Sequence, residues 1–142
     1  MNYIDKANYI VLKIVIDRGD KYLHVYECDR RTFSYPVSVG NENIGKRTPA
    51  GRFVVINKVK NPVTIWRSGK IITSNDLKST YGARWIGLAR YTDKEYKGLG
   101  IHGTNVESSI GKQITLGSIQ MLNRDIIELF DRVKLETEVI IQ

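Results

Sequence analysis

Residues 100–105, Gly100-Ile101-His102-Gly103-Thr104-Asn105, lead through Ser108-Ser109-Ile110-Gly111 to residues 115–123, Thr115-Leu116-Gly117-Ser118-Ile119-Gln120-Met121-Leu122-Asn123. The stretch holds one of the chain's two histidines and ends on an asparagine suited to cap a helix N-terminus. Asp125 then falls in the first turn, and Ile126, Ile127, Phe130 and Val133 are read as one apolar face, so a helix packed on a sheet is predicted after Asn123. Residues 134–138 read as a polar turn and residues 139–141 as a short terminal strand that ties the end of the chain into the sheet.

Upstream the pattern is one of strands. Residues 9–17 are rich in Ile and Val, Arg18-Gly19-Asp20-Lys21 supplies turn chemistry, and residues 22–28 run on as the second arm of a hairpin. Residues 32–39 end at Gly40, and Thr48-Pro49-Ala50-Gly51 introduces another run at 53–59. Further strands are predicted at 63–66, 71–73 and 84–89, with turns at Arg67-Ser68-Gly69 and Tyr81-Gly82. The expected fold class is therefore all-β (mainly β) with one short C-terminal helix, in a single domain spanning residues 1–142.

Size and composition agree with that reading: 142 residues, 42% apolar and 26% charged, suit one globular domain with its own core. A single cysteine, Cys28, excludes an intramolecular disulfide and is expected to be small, buried and apolar in role. With only His24 and His102 beside it there is no zinc spacing, so no metal or other cofactor is expected. His24 is assigned no role. No apolar run approaches the roughly eighteen residues of a membrane span. No signal peptide is read in this chain, which leaves a cytoplasmic protein or an exported one with its leader removed. The net charge is +7, and residues 40–120 carry thirteen basic and five acidic side chains, a net +8. These cations are scattered singly, without a recognition helix or an aromatic RNA-stacking motif, so nucleic acid is not an expected partner. A solvated surface or an anionic polymer accounts for them. Tyr81, Trp66 and Trp85 could line a groove, with core the expectation for Trp85.

The ordered set of motifs resembles the L,D-transpeptidase catalytic domain of the YkuD type. In that family an IHGT segment is followed by [S/T]-x-G-C-[IV]-[RN]-[ML], then a helix and a terminal strand. Residues 100–104 and 115–123 match in order and spacing. Tyr35-Pro36-Val37-Ser38-Val39-Gly40, Thr48-Pro49-Ala50-Gly51-Arg52-Phe53, and Tyr81-Gly82 with Trp85-Ile86-Gly87-Leu88 resemble further family segments, so the likeness covers nearly the whole chain. It implies a β-sandwich whose site accepts a peptidoglycan stem peptide, acylates a cysteine with loss of a terminal D-amino acid, and passes the acyl group to an amine. It implies His102 as general base, and Tyr81, Gly103, Thr104, Leu116, Gly117 and Gln120 as substrate-binding positions.

Two departures matter. Ser118 stands at the nucleophile position, where the family has Cys, and Gln120 stands where it has Arg or Asn. Leu116 fills a position that is often His. A serine hydroxyl needs a base to take its proton as it attacks, whereas a thiol is already partly ionised near neutrality. A His102–Ser118 pair within hydrogen-bond reach could still act, with the amides of Gly117 and Ser118 as an oxyanion hole. Lys112 is a conceivable substitute base. Three readings follow: a stem-peptide domain that is inactive or impaired, by natural divergence or an engineered Cys-to-Ser change; an active acyl transferase or peptidase using Ser118 with His102; and a non-enzymatic module for an anionic cell-wall polymer.

Overall fold

Burial alternates along the first two strands with the period of a β-strand: Ile14, Ile16, Leu23 and Val25 are fully buried while their neighbours are not. The structure, a computed structural model, describes residues 11–142. Residues 9 and 10 of the expected first strand lie outside the described residues.

The strands are β1 (Leu12–Asp17), β2 (Tyr22–Glu27), β3 (Arg30–Pro36), β4 (Val39–Gly40), β5 (Gly51–Lys60), β6 (Thr64–Ile65), β7 (Ile71–Ile72), β8 (Arg84–Arg90), β9 (Gly100–Thr104), β10 (Gln113–Thr115), β11 (Ile119–Leu122) and β12 (Glu138–Ile141). One α-helix, α1 (Asn123–Arg132), precedes β12, so the described residues form the mainly β fold with a late helix that was expected. Eight strands make one sheet in the order β11-β9-β8-β5-β12-β1-β2-β3, with β4–β10 and β6–β7 as separate pairs. The terminal strand lies at the centre of this sheet, parallel to β1 and antiparallel to β5. The sheet curls until Ser38, just past β3, bridges Gln120 on β11 at the opposite edge. That closure brings Gly40, Thr48 and the segment before β11 together.

The helix covers β8, β9 and β11 with Ile126, Leu129, Phe130 and Val133 buried. Leu129, not the expected Ile127, completes the face, because at 100° per residue the 126-129-130-133 set makes one stripe and Ile127 falls to its side. Asn123 is the first helical residue and Leu122 the cap, so Asn123 does not cap the helix. Its side-chain oxygen instead accepts from the Ala83 amide at 2.9 Å, and its Nδ2 donates to Asn105 Oδ1 at 2.5 Å.

Cys28 is exposed, contrary to the expectation of burial. It and Asp29 both have positive φ, 49° and 66°, and make the two-residue turn between β2 and β3. Such primed turns suit the right-handed twist of a hairpin and place their side chains in solvent. Among the described residues, no helix is long and apolar enough to cross a membrane.

Candidate active site

Register across three strands builds one face of the site. His102 on β9 is opposite Trp85 on β8 and Gln120 on β11, so the three side chains form a row on one surface of the sheet. Ile101, Ile119 and Met121 alternate to the other surface and are fully buried there. Ser118 lies two residues before Gln120 and shares its side. A groove of about 370 Å³ opens over this row. Trp85, His102, Ser118 and Gln120 line it, together with Tyr81 and Leu116.

Trp85 is therefore a groove residue, not the core residue expected. Its ring lies nearly parallel to the His102 imidazole, at 12° and 6.2 Å between centroids, and Tyr81 meets both rings edge-on. A glycine makes this possible: a Cβ at Gly100 would sit 2.4 Å from the indole. Trp85 Nε1 donates to Asn57 Oδ1 at 3.0 Å, which fixes the ring.

His102 is 4% exposed, and its two nitrogens have different partners. Nδ1 lies 3.2 Å from the carbonyl oxygen of Gly103 and Nε2 lies 2.9 Å from Ser118 Oγ. A carbonyl oxygen only accepts, so Nδ1 carries the proton and Nε2 presents its lone pair to the serine hydroxyl. Burial holds the imidazole pKa below its ordinary value of 6.5, with the Gly103 carbonyl pulling weakly the other way. At neutral pH the ring is thus a neutral base aimed at Ser118. A peptide carbonyl orients it where a carboxylate does so in Ser-His-Asp triads, so the imidazolium formed on proton transfer gains less stabilisation.

Ser118 is positioned by two threonines. Thr115 Oγ1 donates to the Ser118 carbonyl at 2.6 Å and accepts from the Gly117 amide at 3.1 Å. Thr48 Oγ1 donates to the Gly117 carbonyl at 2.8 Å and accepts from the Gly40 amide at 2.8 Å. Gly117 has φ +123°, a conformation that needs glycine. The β4–β10 pair holds Thr115 beside Gly40. Thr48 is 1% exposed, and replacing its hydroxyl with a methyl leaves a buried donor and a buried acceptor unpaired. Thr48→Val is expected to cost about 2 kcal/mol in urea unfolding and Thr48→Ser well under half of that. Equal losses in the two variants would assign the residue's worth to packing.

Several expected site residues are elsewhere. Gly103 and Thr104 are buried and do not line the groove. Gly103 donates its amide to the Tyr81 carbonyl at 2.9 Å, and Thr104 Oγ1 accepts from the Val106 amide at 3.1 Å. The Gly117 amide is committed to Thr115, so it is not free to face an oxyanion. Lys112 does not line the groove. His24 is on β2, five strands along the sheet from His102, with Nδ1 2.7 Å from Ser34 Oγ. Thr80, Gly98 and Ile114 line the groove with no sequence signal to mark them, and no lining residue is Lys, Arg, Asp or Glu. No group of three or more His, Cys, Asp or Glu among the described residues could hold a metal.

A family model described as the L,D-transpeptidase catalytic domain, YkuD, matches residues 12–141. The chain is similar to the provisionally named L,D-transpeptidase YkuD of Bacillus licheniformis, 36% identical over 126 residues that make up 89% of this chain and 62% of that protein. Bacillus subtilis YkuD is 35% identical over 90% of this chain and 64% of its own length, and Bacillus subtilis YqjB, likewise provisionally named, is 38% identical over 90% and 69%. The chain thus spans less than two thirds of the two YkuD proteins. Among solved structures, an L,D-transpeptidase from Mycobacterium tuberculosis superposes with a TM-score of 0.69 at 17% identity, covering 94% of this chain and 58% of the other. A Cys-to-Ser mutant of an Enterococcus faecium L,D-transpeptidase gives 0.70 at 21%, covering 93% and 50%. At these identities the likeness is one of fold, and it bears out the expected β-sandwich.

Proposed function

The chain belongs to the YkuD-type L,D-transpeptidase catalytic-domain family, and we propose that residues 1–142 form one such domain whose groove takes a peptidoglycan stem peptide but whose acyl-transfer chemistry is impaired. Ser118 occupies the place of the family's nucleophilic cysteine. The observation that carries the proposal is the 2.9 Å contact from Ser118 Oγ to an imidazole whose other nitrogen meets only a peptide carbonyl. The pair is assembled for proton transfer, yet it combines the weaker nucleophile with a base that no carboxylate supports.

In the reaction as proposed, His102 Nε2 takes the hydroxyl proton as Ser118 Oγ attacks the stem-peptide carbonyl. The amide bond to the terminal D-amino acid breaks, and the imidazolium returns its proton to the leaving amine. A second amine then attacks the seryl ester, its proton passes through His102 Nε2 to the departing Ser118 Oγ, and the new amide is the cross-link. Since the Gly117 amide is already engaged, the Ser118 amide is left to face the oxyanion, and one donor of an oxyanion hole can be worth about 10²- to 10³-fold in rate. Where family members carry Arg at this position, Gln120 offers an uncharged amide instead, which holds an anionic substrate group less tightly than a guanidinium does.

The alignment of Ser118 with His102 also favours a second reading, a slow but genuine acyl transferase or peptidase. The third reading, a non-enzymatic module for an anionic polymer, finds no cation in the groove lining and would rest on the basic surface of residues 40–120 instead. Intact-mass spectrometry of the purified chain with a carbapenem as activated acyl donor separates the first two. Impairment predicts no adduct on Ser118 even after long incubation. A slow adduct that disappears in Ser118→Ala supports the second reading, and acylation as fast as on the cysteine relative overturns the first.

A further inference from the structure

Between β5 and β8 the chain makes a small hairpin, β6–β7, whose two faces differ. Register pairs Ile65 with Ile71 and Thr64 with Ile72. Ile72 is fully buried and roots the hairpin, while the Ile65–Ile71 pair on the other face is 67% and 60% exposed. Trp66 is also exposed. Its amide donates to the Lys70 carbonyl at 2.9 Å, the Gly69 amide donates to the Trp66 carbonyl at 2.8 Å, and Lys70 Nζ sits 5.3 Å from the centre of the indole. Val63 and Leu77 add two more exposed apolar side chains close by in sequence.

Charge is equally one-sided. Residues 59–80 contain Lys60, Arg67, Lys70 and Lys78 against one acidic residue, Asp76. None of these four cations forms an ion pair with another described residue, in contrast to Arg47, Arg52, Arg90 and Arg124 elsewhere on the surface. A cross-strand aliphatic pair, an exposed indole and a cationic turn within one hairpin are the three elements that an anionic bilayer surface rewards together. Aliphatics enter the acyl boundary, indoles favour the headgroup level, and Lys and Arg meet lipid phosphates. A soluble polyanion would engage the cations and leave the isoleucines in water. A second copy of the chain would set one Arg67–Lys70 turn against another of like charge.

We propose that the β6–β7 hairpin docks this domain onto an anionic phospholipid surface. The inference is independent of the chemistry at Ser118. The test is flotation of the full chain with vesicles of phosphatidylglycerol and phosphatidylcholine, against vesicles of phosphatidylcholine alone. The expected result is binding to the anionic vesicles only. Ile65→Ser with Ile71→Ser, and separately Arg67→Gln with Lys70→Gln, are each expected to weaken binding by at least about tenfold, with unchanged far-UV circular dichroism melts. Absence of binding overturns the proposal. So does undiminished binding of the serine variant, which would make the contact purely ionic, or a vesicle-free dimer that the serine variant dissociates.

Discussion

Ser118→Cys is expected to accelerate acylation by a carbapenem by about 10²-fold or more at neutral pH, read as the rate at which the intact-mass adduct appears. The expectation rests on what the loop already provides. His102 Nε2 faces position 118, the Gly103 carbonyl fixes the tautomer, and Thr115 and Thr48 hold the backbone on both sides of Gly117. None of these contacts uses the Ser118 side chain except the one to His102, so a thiol inherits them. A thiol of pKa about 8.5 is partly ionised near neutrality and needs little from the base, whereas a serine hydroxyl depends on proton transfer during attack. The weak support given to the imidazolium by a peptide carbonyl therefore costs the serine form far more than the cysteine form. Ser118→Ala should give no adduct. If Ser118→Cys stays as unreactive as the parent while folding normally, the groove no longer accepts an acyl donor, and the stem-peptide reading fails along with the chemistry.

How much of this was legible beforehand depends on whether a feature is local. The β1–β2 hairpin, the helix and the terminal strand follow from period and turn chemistry within a dozen residues, and they are where expected. The short strands β9, β10 and β11, which carry the site, lack a strand signal of their own. Gly100 and Gly103 break the β-propensity of β9, and a strand buried on both faces has no polar alternation to read. Trp85 reads as core because large aromatics are usually buried. Its place in the groove depends on the side of β8 it takes and on the space left by Gly100 on the neighbouring strand, a pairing that one sequence does not display. Thr48 reads as part of a Pro-Gly turn, but its hydroxyl works across 69 residues of chain on Gly117. Asn123 had the right residue type for a cap and is used instead to tie residue 83 to residue 105 through the start of the helix. The family resemblance singled out His102 and Ser118, and the structure places Nε2 of one 2.9 Å from Oγ of the other. The direction of the hydrogen bond between them came only from seeing what the other ring nitrogen touches.

That direction makes His102 the second position of large effect. In the Ser118→Cys chain, His102→Gln is expected to slow carbapenem acylation by about 10²- to 10⁴-fold, the range of general-base assistance, because glutamine can fill the space and hydrogen-bond but cannot take the proton. The pH profile of that chain will not isolate the imidazole, since thiol and imidazole titrate as a pair with shared apparent pKa values. The difference in stability between the parent and His102→Gln does isolate it, because His24, whose pKa burial also lowers, is present in both. Burial depresses the His102 pKa below 6.5 in the folded state, while the unfolded chain keeps the ordinary value. Between those two values the unfolded state binds more protons, so the contribution is fully present above pH 6.5 and is lost as pH falls towards the folded pKa. The urea midpoint of the parent should therefore drop over that window by more than the midpoint of His102→Gln, which has no imidazole at this site. Parallel slopes in the two proteins would mean that position 102 does not titrate as a buried neutral base. Retained acylation in the double variant Ser118→Cys, His102→Gln would reduce His102 to a packing partner of Trp85 and Tyr81.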